Sequence, residues 1–169
     1  MNSNIYLSPH FSLKEMTDSQ TAVKYGIANV PSEQEIENLR RLCQGTLEPL
    51  REALQLPMVI TSGYRTKALN DKLGRSSKHS QHMQGQAADF HIGQTLMSRI
   101  LCISRRKLLI KAFRRIILDE SIDYDQLIIY PSFIHVSYVS RSRNRHNIML
   151  GMRNGKFSAL TREAALSLI

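Results

Sequence analysis

Three side chains with metal-binding chemistry, His82, Asp89 and His135, stand in local contexts that give them a reason to converge. Around the first, the chain reads Ser80-Gln81-His82-Met83-Gln84-Gly85-Gln86-Ala87-Ala88-Asp89. Gly85 permits a sharp backbone turn between two polar residues. The small Ala87 and Ala88 allow a strand to pack closely, and Asp89 falls inside that strand, ahead of Phe90 and Ile92. A carboxylate there is costly to bury without a cation or strong hydrogen bonds. In the segment around His135, alternation puts Phe133, His135 and Ser137 on one face, with Ile134, Val136 and Tyr138 on the other. Two neighbouring strands, each offering one ligand from the same face, would meet His82 from a loop. Three N/O ligands with one open position describe a catalytic zinc site. His10, His79, His91 and His146 have no such neighbours and read as core or surface residues.

The elements that must position these residues follow from caps and periodicity. Ser12-Leu13-Lys14-Glu15 and Ser32-Glu33-Gln34-Glu35 both have the form of a capping box. The second opens an amphipathic helix in which Ile36, Leu39, Leu42, Cys43 and Leu47 recur at helical spacing, with a kink or interruption expected at Pro49. Met58 to Thr61 reads as a strand ending in the loop Ser62-Gly63-Tyr64-Arg65. A short helix around Lys67 to Leu73 is expected within a polar stretch, then a strand from Ala87 to Ile92. Leu96 to Leu118 reads as one long helix carrying seven basic residues and no acid. Strands Tyr124 to Tyr130 and Phe133 to Tyr138 are separated by Pro131-Ser132. A last hairpin from Met149 to Leu160 is expected to turn on Asn154-Gly155 as a two-residue loop. No repeat or linker interrupts the chain. Helices followed by a mainly antiparallel sheet make an α+β fold, read as one domain over residues 1–169.

The net charge of +9 favours anionic polymers: nucleic acid, acidic lipid, or the teichoic acids and carboxylates of a bacterial wall. Aromatics interleaved with basic residues on strands, the usual RNA-binding signal, are missing, so no specific nucleic acid is expected. The basic segment, with Arg99, Arg105, Arg106, Lys107, Lys111, Arg114 and Arg115, reads as a solvated helix face, or as a patch that meets an anionic wall polymer or membrane surface. No apolar run reaches the roughly 18 residues of a membrane span. The opening Met1-Asn2-Ser3-Asn4-Ile5-Tyr6 lacks the basic stub and apolar core of a signal peptide, so cytoplasmic synthesis and another route to any wall target are expected. Cys43 and Cys102 form no metal knuckle and are expected as buried free thiols.

The pattern Ser-x-His-x-x-Gly-x-Ala-x-Asp at 80–89, with Ser62-Gly63-Tyr64-Arg65 before it and Ile134-His135-Val136-Ser137 after it, resembles the zinc D-alanyl-D-alanine carboxypeptidase family. That family includes phage endolysins that cut L-alanyl-D-glutamate bonds. Phe11-Ser12-Leu13-Lys14-Glu15 and Tyr124-Asp125-Gln126-Leu127-Ile128 are similar to its phage and Bacteroides-type members. The resemblance runs from about residue 8 to 140 and implies a hedgehog/D,D-peptidase fold. It implies zinc held by His82, Asp89 and His135, and a peptidoglycan or D-alanyl peptide substrate. Arg65 falls where the family has its substrate-side arginine, suited to a carboxylate or an oxyanion. Ser80 and Gln81 are further candidate substrate contacts. Ser132, however, stands three residues before the last ligand, where many members carry a glutamate that takes a proton from water. Serine is no general base at neutral pH. Asp125 on the preceding strand is the nearest candidate, with a structural role as the other reading, and Asp123 is second. The leading expectation is a zinc peptidase of stem peptides; the rivals are a binding module that keeps the metal without turnover, and a charge-driven nucleic-acid binder.

Overall fold

The computed structural model of the protein describes residues 5–74 and 77–168. A small ribbon, β1 (Tyr6–Ser8) with β2 (Phe11–Ser12), leads through two short helices, α1 (Leu13–Thr17) and α2 (Gln20–Tyr25), to α3 (Glu33–Leu42) and α4 (Glu48–Leu54). Then come β3 (Met58–Ser62), α5 (Lys67–Lys72), a 3-10 turn at Gln81–Gln84 and β4 (Ala87–Ile92). The C-terminal part contains α6 (Leu96–Ile100), α7 (Arg105–Leu118), β5 (Gln126–Ile129), β6 (Ile134–Ser137), β7 (Asn147–Gly151), β8 (Phe157–Ala159) and α8 (Arg162–Leu166). The main sheet runs β3-β4-β6-β5-β7-β8, antiparallel throughout except where β7 lies parallel to β5. An α+β fold with a mainly antiparallel sheet is what the sequence pattern leads one to expect.

The caps explain where the helices begin. Ser12 accepts a hydrogen bond from Glu15 N–H, and at Ser32 both halves of the capping box form. Pro49 does not end the helix that precedes it. The chain instead widens into a π turn at Cys43–Leu47 between α3 and α4. A proline removes one backbone N–H and its ring crowds the carbonyl four residues back, here Gly45. That carbonyl accepts from Asp123 N–H at 3.0 Å, and Thr46 Oγ1 donates to Asp123 O. The interruption thus fastens the helix layer to the segment entering β5.

The sheet has two unlike faces. Ala88, Phe90 and Ile92 of β4, Leu127 and Ile129 of β5, and Ile134 and Val136 of β6 are buried in the main core. Against them lies α7, which buries Leu108, Leu109, Ala112, Phe113, Ile116 and Ile117. The opposite face carries Asp89 directly across from His135, which in turn faces Ile128.

Three expectations need correction. The 96–118 segment is two helices, because Cys102 takes a left-handed conformation (φ 51°) and Ser104 caps a new helix at Lys107 N–H. Its basic residues do not form one solvated stripe: Arg106 donates to Tyr130 O at 2.9 Å and Arg114 to Leu166 O. Cys43 is buried, and burial pushes its thiol far up, but Cys102 is exposed. The last hairpin closes through Met152 N–H to Lys156 O at 2.8 Å, so its loop is Arg153–Gly155 rather than two residues. Among the described residues, no helix is long and apolar enough to cross a membrane.

Candidate metal centre

His82, Asp89 and His135 come together. His135 Nδ1 lies 2.8 Å from Asp89 Oδ1 and 3.3 Å from His82 Nε2, and His82 Nε2 lies 3.4 Å from Asp89 Oδ1. Ligand atoms about 2.0–2.1 Å from a tetrahedral zinc stand roughly 3.3 Å apart. Two of the three separations match that edge and the third is shorter, so a zinc-sized ion fits with a small opening of the Asp89–His135 contact.

Each ligand is held from behind. Asp89 and His135 are register partners on β4 and β6, so the ladder itself aligns them. His82 sits in the 3-10 turn that Gly85 ends in the left-handed region, at φ 66°. Its Nδ1–H donates to Gly63 O at 2.7 Å, which leaves Nε2 bare for a metal. Gly63 is needed for close approach: a Cβ there would stand 2.2 Å from Met16 O. Burial pushes the His82 imidazole toward its neutral form, the form that ligates. Burial alone would raise Asp89, yet His82 and His135 beside it hold its carboxyl far below the usual carboxylate range. The side chains of Asp89 and His135 keep 13% and 14% of their surface exposed, against 3% for His82, so the open side of the triad faces a cleft.

Arg65 borders that cleft but commits two nitrogens to the centre's support. Its Nη2 donates to Asp89 Oδ2 at 2.7 Å and its Nε to Ser62 Oγ at 2.8 Å. Ser80 and Gln81 also line the cleft, and Gln81 Nε2 donates to Asp125 Oδ2 at 2.9 Å. Asp125 is buried and its oxygens are occupied. Oδ1 accepts from Arg145 N and Nε at 2.9 and 2.8 Å, while Oδ2 accepts from Arg145 Nη2, Gln81 and Ser137. Burial raises its pKa, but these bonds win and hold it down at about 2. Asp123 pairs instead with His146 at 2.8 Å. Ser132 lines the cleft from the exposed turn between β5 and β6.

The cleft encloses about 1190 Å³ and extends well past the triad, toward Tyr130, Arg143 and Arg153. Sites for single small molecules usually measure about 300–1,000 Å³, so an extended chain has room here. Sequence reasoning missed His79, which lines the same cleft, and Arg145, the partner of Asp125. The signal available for Arg145 was the basic run Arg141-Ser142-Arg143-Asn144-Arg145 between two strands.

No curated protein matches the chain. A family model, Peptidase M15, matches residues 9–118, which contain Arg65, Ser80, His82 and Asp89 and stop short of Asp125 and His135. The last ligand therefore rests on geometry: the register that sets His135 opposite Asp89 supplies it from β6. With nearly two thirds of its length matched and a His-Asp-His cluster that could hold a metal, the chain belongs to the Peptidase M15 family, whose members are metallopeptidases.

Proposed function

We propose that the protein is a zinc-dependent peptidase of peptidoglycan stem peptides, either a D,D-carboxypeptidase or an endolysin-type endopeptidase. The observation that carries this reading is the convergence of His82 Nε2, His135 Nδ1 and Asp89 Oδ1 on the wall of a long open cleft, in a chain of this family. When bound, zinc polarises a scissile carbonyl and makes water a nucleophile near neutral pH. The helices packed on one face of the sheet, with the metal ligands on the other, support a hedgehog/D,D-peptidase type of fold.

The chain's own residues divide the remaining work. Arg65 fixes Asp89 and brings positive charge to the cleft edge, where a substrate carboxylate or an oxyanion is stabilised. Ser80 offers its hydroxyl to the substrate. Gln81 is held by Asp125 and keeps the ligand turn in place. Asp125 itself is a poor base, being buried, bonded on both oxygens and strongly acidic. We assign it to positioning, and proton transfer to His79, a cleft imidazole outside the triad. His79→Gln is expected to lower kcat about 10- to 100-fold with zinc content unchanged. Asp125→Asn should act mainly on stability, by about 1–3 kcal/mol, because Arg145 loses its charged partner. Asp125 is depressed in the fold, so its contribution is complete above its ordinary value of 3.8 and fades as pH falls toward about 2. Urea melts of the wild type and Asp125→Asn should therefore differ at pH 6 and approach one another in acid. A large kcat loss in Asp125→Asn with normal stability would return the base role to Asp125.

Ser132, in the position of the family's usual glutamate, favours one other reading: a zinc-containing wall-binding module without turnover. A soluble stem pentapeptide separates the two. The peptidase reading expects zinc-dependent cleavage that a chelator abolishes, seen by mass spectrometry. An intact peptide with zinc fully loaded supports the binding module. Action at the wall after cytoplasmic synthesis belongs to the same proposal. So does a contact of the exposed Arg105, Lys107 and Lys111 with an anionic wall polymer or membrane surface. Cosedimentation with wall fragments that rising salt does not weaken would remove that contact.

A further inference from the structure

The cleft is lined by four arginines, Arg65, Arg143, Arg145 and Arg153, against two aspartates, Asp89 and Asp125. Both aspartates are already engaged by arginine: Asp89 by Arg65 and Asp125 by Arg145. Arg143 and Arg153 are left without an acidic partner among the described residues, and both are exposed. They come from different loops and line the same cleft as the triad.

Both loops are internally braced, so the two stems start from fixed backbone. In the β6–β7 loop, Asn144 Oδ1 accepts from Val139 N and Ser140 N at 2.9 and 3.3 Å, and Arg143 N donates to Ser140 O at 2.9 Å. Two residues on, the Arg145–Asp125 pair pins the loop to the buried start of β5. In the β7–β8 turn, Met152 N donates to Lys156 O at 2.8 Å and Lys156 N to Asn154 Oδ1 at 3.0 Å, bracketing Arg153. A guanidinium presents a planar fork of donors that matches a carboxylate. Two such forks beside a peptide-sized cleft, with no acid among the described residues to satisfy them, define what a ligand must bring.

We infer that Arg143 and Arg153 form an anion subsite that selects peptides carrying a free carboxylate some distance from the scissile bond. The inference rests on the peptidase reading for the peptide nature of the ligand, and on the cleft's charge for its sign. A phosphodiester polymer offers a similar oxyanion, but the subsite shares its cleft with the triad, which favours the peptide.

The test uses surface plasmon resonance on immobilised zinc-loaded protein, where continuous flow keeps cleavage from depleting the ligand. The probes are the stem pentapeptide L-Ala-γ-D-Glu-L-Lys-D-Ala-D-Ala, the same peptide with the glutamate α-carboxylate amidated, and poly(glycerol phosphate). The free acid should bind the wild type about tenfold more tightly than the amide. R143Q and R153Q should each remove part of that preference and the double variant all of it, with zinc content unchanged. R143K should retain part of it, since charge survives while the fork is lost. Equal binding of the two peptides by the wild type, or a preference that survives in the double variant, overturns the subsite. So does a wild type that ignores both peptides and holds poly(glycerol phosphate) through these arginines. Cleavage is scored separately by mass spectrometry on both peptides. A carboxylate preference without cleavage keeps the subsite and removes the peptidase, and cleavage without preference does the reverse.

Discussion

Replacing any one of His82, Asp89 and His135 by alanine is expected to strip zinc from the protein, but the three variants should not be equally stable. Zinc sites in small domains bind with about 10–16 kcal/mol over four ligands, so one ligand accounts for roughly 3 kcal/mol, on the order of 100-fold in affinity. His135→Ala removes a ligand and little else. His82→Ala also frees Gly63 O, which had accepted from Nδ1. Asp89→Ala goes further, because it leaves the Arg65 guanidinium, only 11% exposed, without its carboxylate. Breaking a buried pair by deleting one partner commonly costs about 3–5 kcal/mol. Elemental analysis should therefore show zinc lost from all three, and thermal melts should place Asp89→Ala lowest. Full zinc occupancy in each variant would contradict the site, while equal melting temperatures would contradict the supporting role of Arg65.

Gly85→Ala is expected to be among the most damaging single methyl additions in the chain. The residue has φ 66°, and an added Cβ would stand 2.4 Å from Glu35 O. That carbonyl belongs to the first turn of α3, which the Ser32–Glu35 box holds rigid. The left-handed conformation alone costs an alanine about 1–2 kcal/mol, and the clash adds to it, for a total of about 2–4 kcal/mol. In a chain of this size the melting temperature should drop on the order of 10 °C. Gly26→Ala provides the comparison, since it has φ 61° with nothing within 4 Å of the new Cβ. Its loss should match the conformational part alone. Zinc affinity should fall only in Gly85→Ala, because Gly85 N–H bonds to His82 O and ends the ligand turn. Similar stability losses in the two variants would mean that the contact with α3 yields freely.

What could be read from the sequence was local. Ser12 and Ser32 announce their helices because capping chemistry acts over three residues. Asp89 stands out because alternation forces a carboxylate into an apolar strand, and its pairing with His135 extends that alternation across one ladder rung. Features that depend on distant partners were not legible. The basic segment keeps helical periodicity across 96–118, and the local sign of a new start, the Ser104 cap on Lys107 N–H, lacks the glutamate that completes a capping box and marks the helix at Ser32. The parallel pairing of β7 with β5 follows from where the 138–146 loop returns, which no periodicity encodes. Asp125 looks like a base in a strand next to a tight turn. Only the fold brings Arg145, from 20 residues away, onto both of its oxygens.

The central claim, that this metal centre hydrolyses stem peptides, is tested most directly on purified peptidoglycan. Zinc-loaded wild type and His135→Ala are incubated with it side by side, and the soluble fragments are identified by mass spectrometry. The account predicts new peptide ends from the wild type, their loss on chelation, their return with added zinc, and none from His135→Ala. Fragments released equally by both proteins, or none from a wild type with one zinc per chain, would contradict it.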